Sequence, residues 1–261
     1  MAEFISTEMQ GHIMLIGLNR ADKRNGMNRQ MIDELAAAYG AFEANEEARV
    51  AVVFAEGDHF CAGLELDEAA ESLMSPTGGY KIAPGSLDPW GVLTPRVEKP
   101  VILAVQGFCI TLGLELCLAA DIVVAADTVK FAQLEITRGL YPMGGATLRW
   151  PLACGYQNAM RYLLTGDWFG ADEAHRTGLV QEVVSADVLK THAIGIAERI
   201  AANAPLGVQA TLRTARRAQD FGQRGAAETL YPEIRTIYVS EDAQTGIATY
   251  MDKERPNYKG R

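Results

Sequence analysis

Apolar residues fall into short runs separated by polar, glycine-bearing loops. His12-Ile13-Met14-Leu15-Ile16-Gly17-Leu18 reads as a strand, closed by the polar loop Asn19 to Gly26. From Asn28, a candidate N-cap, Met31, Ile32, Leu35, Tyr39 and Phe42 recur at helical spacing. Val50 to Ala55 is again continuously apolar and short enough for a buried strand. Val101 to Val105 and Ile122 to Ala126 repeat that signal, with the apolar stretch Leu112 to Ala120 between them as a short buried helix. Strands alternating with helices predict a parallel sheet covered on its faces by helices.

Residues 71–93 break the pattern with Pro76, Gly78, Gly79, Pro84, Gly85 and Pro89, an irregular excursion of the length that often serves as a lid. After Gly155 the chain turns helical, with segments expected at 158–164, 171–177, 186–203, 205–218, 226–240 and 241–253. Ser240 before Glu241 and Asp242 supplies an N-cap with acid in the first turn. No internal repeat or low-complexity tract stands out.

Composition narrows the classes. A chain of 261 residues, 48% hydrophobic and 22% charged, can bury a full core. A net charge of −9 disfavours nucleic acid or an anionic membrane as partner. Cys61, Cys109, Cys117 and Cys154 lack zinc-site spacing and read as reduced thiols. With no apparent leader or spanning segment, the expectation is a soluble cytoplasmic protein without metal. His12, His59, His175 and His192 fall in no nucleophile motif and read as structural.

Two carboxylates stand out as candidate chemistry. Glu115 lies in the first turn of the predicted 112–120 helix, and Glu135 closes Phe131-Ala132-Gln133-Leu134-Glu135. Each sits in an apolar stretch, where desolvation raises a carboxyl pKa toward the range useful for proton transfer. Taken alone, Glu115 reads first as a helix-dipole partner, and Glu135 reads also as a salt-bridged residue at a strand end.

Several segments in order resemble the crotonase superfamily, the enoyl-CoA hydratase and isomerase group. They are Leu18-Asn19-Arg20 with Arg24 to Asn28, Phe60-Cys61-Ala62-Gly63-Leu64-Glu65-Leu66, Gly107 to Glu115, and Ala119-Ala120-Asp121-Ile122. Phe131 to Glu135, Thr165-Gly166-Asp167, Glu173-Ala174, Gly178-Leu179-Val180 and Ser240-Glu241-Asp242-Ala243 follow. The resemblance implies an α/β fold, the ClpP/crotonase-like spiral of β-β-α units, with residues 1–200 as core. Residues 201–261 would form a helical region for trimerisation.

What the resemblance implies for function is hydration of a 2-enoyl-CoA thioester through a stabilised enolate. Backbone N–H groups of Ala62 and Leu112 would hold the thioester oxygen, and Glu115 and Glu135 would handle water and proton. Coenzyme A would lie near Lys23, Arg24 and Ala62, completed by Tyr250 and Lys253 of a neighbouring subunit in a homotrimer or dimer of trimers. Lys23, Arg24 and Lys253 read equally well as solvated charges. The acyl tail would meet Leu73, Met74, Tyr80, Ile82 and Trp90, which as loop residues also have an ordinary packing role. No cofactor beyond the coenzyme of the substrate is expected. Other superfamily reactions (isomerisation, thioester hydrolysis, dehalogenation) and a non-catalytic acyl-CoA- or RNA-binding homologue remain alternatives. The sequence departs from the family pattern at Thr111-Leu112, where Gly-Gly is common, and at Leu134, where proline is usual.

Overall fold

The computed structural model describes residues 2–65, 80–252 and 256–261. The expected strands form, and five of the six strands of the main sheet are parallel. It is ordered β1 (Ile5–Gln10), β2 (Ile13–Leu18), β3 (Val50–Ala55), β4 (Val101–Val105), β6 (Ile122–Ala126) and β9 (Glu182–Val184). Only β1 is antiparallel, paired with β2 from Ile5 opposite Leu18 to Gln10 opposite Ile13. A second sheet joins β5 (Phe108–Ile110), β7 (Lys130–Ala132) and β8 (Phe169–Gly170).

Both faces of the main sheet are covered, which is why β2, β3 and β4 are buried at every position. On one face Ile16, Leu18, Val53 and Leu103 pack with Met31, Leu35 and Phe42 of the Arg29–Ala44 helix. On the other, Leu15, Val52, Phe54 and Ile102 pack with Leu189, Ala193 and Ile196 of the Leu189–Ala201 helix. Asn28 caps the first of these helices, its side chain accepting the Met31 N–H at 3.0 Å. Asn25, fully buried, ties its loop to the turn after β3: its side chain donates to the carbonyls of Glu56 and His59.

Three features depart from the sequence reading. Residues 5–10 form a strand although only Ile5 is buried, because an exposed edge strand carries no apolar signature. Ala146–Cys154 is helical despite Pro151. The 80–93 part of the excursion is organised by the buried Asp88, whose carboxylate accepts the N–H groups of Trp90, Val92 and Leu93 at 3.0, 2.7 and 2.8 Å. Beyond residue 204 the chain is helical over Pro205–Tyr238, interrupted at Gly222, and over Glu241–Asp252. Ser240 accepts the Ala243 N–H at 3.1 Å, as its capping position predicts.

Candidate active site

Two segments leaving the parallel strands meet at the site. Residues 60–61 lie along 106–110, with Cys61 N–H donating to Phe108 C=O at 2.8 Å and Ile110 N–H to Cys61 C=O at 3.0 Å. On its other side the stretch lies along 24–27. There Ala62 N–H donates to Arg24 C=O at 3.0 Å, Met27 N–H to Gly63 C=O at 2.8 Å, and Glu65 N–H to Met27 C=O at 3.0 Å.

That register corrects the first donor expected from sequence. The Ala62 N–H is consumed by a backbone carbonyl and has no proton left for a ligand. Leu64 alternates to the opposite side, and its N–H has no hydrogen-bond partner among the described residues. Leu112 opens the Leu112–Ala119 helix, where a first-turn N–H lacks an intrahelical acceptor, and it too is unpartnered among the described residues. Among the described residues, Leu64 and Leu112 thus each bring an N–H without an acceptor to the point where the two segments meet.

Cys61 holds the two segments together. Its sulfur accepts the Gly63 N–H at 3.3 Å and takes a further hydrogen bond from the Gly113 N–H. Burial pushes its thiol up to about 12, so it serves as a neutral acceptor rather than a nucleophile. Trp90, counted from sequence as acyl-pocket lining, also anchors the helix start: its indole Nε1 donates to Leu112 C=O at 3.0 Å.

Every residue of the Leu112–Ala119 helix is buried, so Glu115 has no route to water through its own helix. Its Oε1 accepts the Ala146 N–H at 3.0 Å, and its Oε2 is buried without a partner. Burial pushes the carboxyl up to about 7, and the charge of Glu135 adds to the rise, while Ala146, Gly144 and Arg149 oppose it. Gly144 keeps the space clear: a Cβ there would stand 2.8 Å from Glu115 Oε2. Glu135 begins the short 3-10 turn Glu135–Arg138 and is likewise raised by burial, against its own backbone N–H and Gln133. Its Oε1 accepts from Gln133 Nε2 at 3.0 Å, and its Oε2 is buried and unpartnered.

Buried side-chain oxygens lacking any partner are thus concentrated here: Thr111 Oγ1, Glu115 Oε2, Gln133 Oε1 and Glu135 Oε2. Folded chains pair such atoms because an orphan costs about 1–3 kcal/mol, so a cluster of them marks groups kept for something other than the fold. A cleft of about 350 Å³ is bordered by Ala62, Leu64, Thr111, Leu112 and Glu135. An adjoining apolar pocket of about 90 Å³ is lined by Tyr80, Ile82 and Trp90, and shares Leu64, Leu112 and Met143 with the cleft.

The remaining expected site residues are more scattered. Lys23 and Arg24 are exposed on the turn whose carbonyl holds Ala62, with the Arg24 guanidinium 5.9 Å from the Phe108 ring centroid. Tyr250 is largely exposed on the last helix and lines neither cavity. Leu73, Met74 and Lys253 lie outside the described residues. Glu65 is paired with Arg20 at 2.8 Å, a structural role. Sequence reasoning missed Leu64 and Gln133, although Leu64 lies one residue after Gly63 and Gln133 two residues before Glu135, to which it donates. Among the described residues no cluster of three or more His, Cys, Asp or Glu could hold a metal ion, and no helix is long and apolar enough to cross a membrane.

Comparison with known proteins places the chain in a family. Residues 8–261 match the family described as enoyl-CoA hydratase/isomerase. The chain is 32% identical to the enoyl-CoA hydratase EchA19 of Mycobacterium tuberculosis, covering 97% of this chain and 96% of that one. It is 30% identical over the full length of both chains to the 2,3-dehydroadipyl-CoA hydratase of Escherichia coli. Among solved structures, a probable enoyl-CoA hydratase/isomerase from Mycobacterium abscessus superposes with a TM-score of 0.96 at 45% identity, covering all of both chains. An enoyl-CoA hydratase from Mycobacterium tuberculosis superposes at 0.89, with 31% identity and 99% of each chain covered. The fold is that of the crotonases, and the chain belongs to the enoyl-CoA hydratase/isomerase family.

Proposed function

We propose that this protein hydrates a 2-enoyl-CoA to the 3-hydroxyacyl-CoA. The observation that carries the reading is the state of the two glutamates. Each holds one oxygen on the protein and leaves the other buried and unpartnered, beside two N–H groups that have no acceptor of their own. Such a site has donors for a developing oxyanion and two groups able to exchange protons with what lies between them.

In this reading the thioester oxygen accepts from the N–H groups of Leu64 and Leu112, and the positive end of the Leu112–Ala119 helix favours the charge that gathers there. Ionised Glu115 takes a proton from water as the oxygen adds at C3. The C2–C3 electron pair moves onto the thioester as an enolate, and protonated Glu135 returns a proton at C2. The sum is one water added, and the two carboxyls exchange roles in dehydration. Side chains and water handle every proton, so the step calls for no resident metal or redox cofactor. The 90 Å³ apolar pocket would take the first carbons of the acyl chain, and Lys23 and Arg24 would lie toward the coenzyme phosphates.

Double-bond isomerisation is the second reading, because the family description carries both activities and the same enolate serves each. Incubation with crotonyl-CoA and a panel of longer enoyl-CoAs, followed by loss of the conjugated-thioester absorbance and product analysis, separates them. Absence of 3-hydroxyacyl-CoA from every member of the panel sinks the hydratase reading.

A further inference from the structure

Thr111 carries two costs that none of its own contacts explains. It holds φ at 49° and ψ at −114°, a region where a β-branched side chain is strained and glycine is not. Its N–H donates to Ala132 C=O at 2.9 Å and its C=O accepts the Glu115 N–H at 2.9 Å, so the backbone is pinned on both sides. Its Oγ1 is buried, yet has no hydrogen-bond partner. Glycine at this position would remove both costs at once; what threonine adds is a hydroxyl.

That hydroxyl lies where the two donor segments converge. Thr111 directly precedes Leu112, and its Oγ1 falls 2.2 Å from the point a Cβ on Gly63 would occupy, one residue before Leu64. The bare α-carbon of Gly63 is therefore what admits the oxygen between the segments carrying the Leu64 and Leu112 N–H groups. A hydroxyl has one proton to give and rotates to aim it. We propose that the Thr111 hydroxyl is a third hydrogen-bond donor to the carbonyl oxygen of the bound thioester, beside the N–H groups of Leu64 and Leu112. This rests on reading the cleft as a thioester site. A donor set in place before charge develops strengthens as the enolate forms, so its effect belongs to turnover more than to binding.

The test uses Thr111→Val, Thr111→Ser and Thr111→Gly in the full-length chain. The probe is 4-dimethylaminocinnamoyl-CoA, a chromophoric enoyl thioester whose absorbance moves to longer wavelength as its carbonyl is polarised. The bound probe should show a smaller red shift in the Val and Gly variants than in the parent, with the Ser variant retaining the parent shift. On crotonyl-CoA, kcat of the Val and Gly variants should fall on the order of tenfold to a hundredfold, with KM within about threefold. Should Thr111→Val fail to fold, Thr111→Gly, which the backbone accepts without strain, gives the same reading. Undiminished red shifts in Thr111→Val and Thr111→Gly overturn the proposal. Because the shift reports carbonyl polarisation alone, a reduced shift supports the third donor even where the parent turns over no enoyl-CoA, an outcome that counts against the hydratase reading only.

Discussion

Burying Glu115 costs the fold. A carboxyl raised from 4.5 to about 7 binds its proton more tightly folded than unfolded, so stability is highest below about 4.5 and falls as pH rises toward 7. The shift corresponds to about 3 kcal/mol of lost stability at pH 8. Glu115→Gln should therefore raise the denaturant midpoint at pH 8, with the gain shrinking toward nothing near pH 4.5; an equal gain at both pH values would count against the burial cost. The same variant, and Glu135→Gln, should lose about 10²- to 10⁴-fold in kcat while keeping affinity for the product thioester. In the parent, hydration needs a single proton on the pair, off Glu115 and on Glu135, so kcat/KM should be bell-shaped in pH and fall as pH rises past about 7, where the pair loses its last proton. At this scale the sequence pointed to the glutamates because an acid in an apolar run is visible in one dimension. It misplaced the first donor because which of two nearby N–H groups is free depends on the pairing of residues 62–65 with Arg24 and Met27, a contact between segments far apart in the chain.

Among the elements, the short helix bearing Glu115 owes its position to its neighbours. Cys61 ties its first turn to the 62–64 segment, and Trp90 holds the Leu112 carbonyl from the other side. Trp90 is set by Asp88, which gathers three backbone N–H groups at once. Asp88→Ala leaves those donors without their shared acceptor and should cost about 2 kcal/mol or more. Because Trp90 also borders the apolar pocket, the substitution should raise KM for enoyl-CoA substrates as well. Unchanged KM with lowered stability would mean that Asp88 braces the loop without reaching the site. Elements built from long apolar runs, β2 to β4 and the Arg29–Ala44 helix, were legible in the sequence because burial on one or both faces writes itself into residue type. Strands β7, β8 and β9 are two or three residues long, and β1 buries only Ile5, so their pairing leaves almost no periodic trace.

For the whole molecule, the helices beyond residue 204 carry apolar side chains that the chain itself leaves bare. Tyr231, Tyr238, Val239 and Phe221 stand more than half exposed, and Tyr250 is 82% exposed. Leaving such surface in water is unfavourable, and association of identical chains is the simplest way to cover it. The expected trimer would also bring a neighbour's Tyr250 toward the coenzyme turn at Lys23 and Arg24, joining assembly to binding. Tyr231→Asp and Val239→Asp place charge on that surface at positions remote from both glutamates. If the surface is an interface, each should lower the mass measured by light scattering at micromolar concentration, an effect of about 2 kcal/mol or more at a central contact. Weaker coenzyme A binding should follow only in the dissociated fraction, and raising protein concentration should restore it. Dissociation with unaltered coenzyme affinity would separate the two, leaving the site complete within one chain and the bare helices with assembly as their sole task.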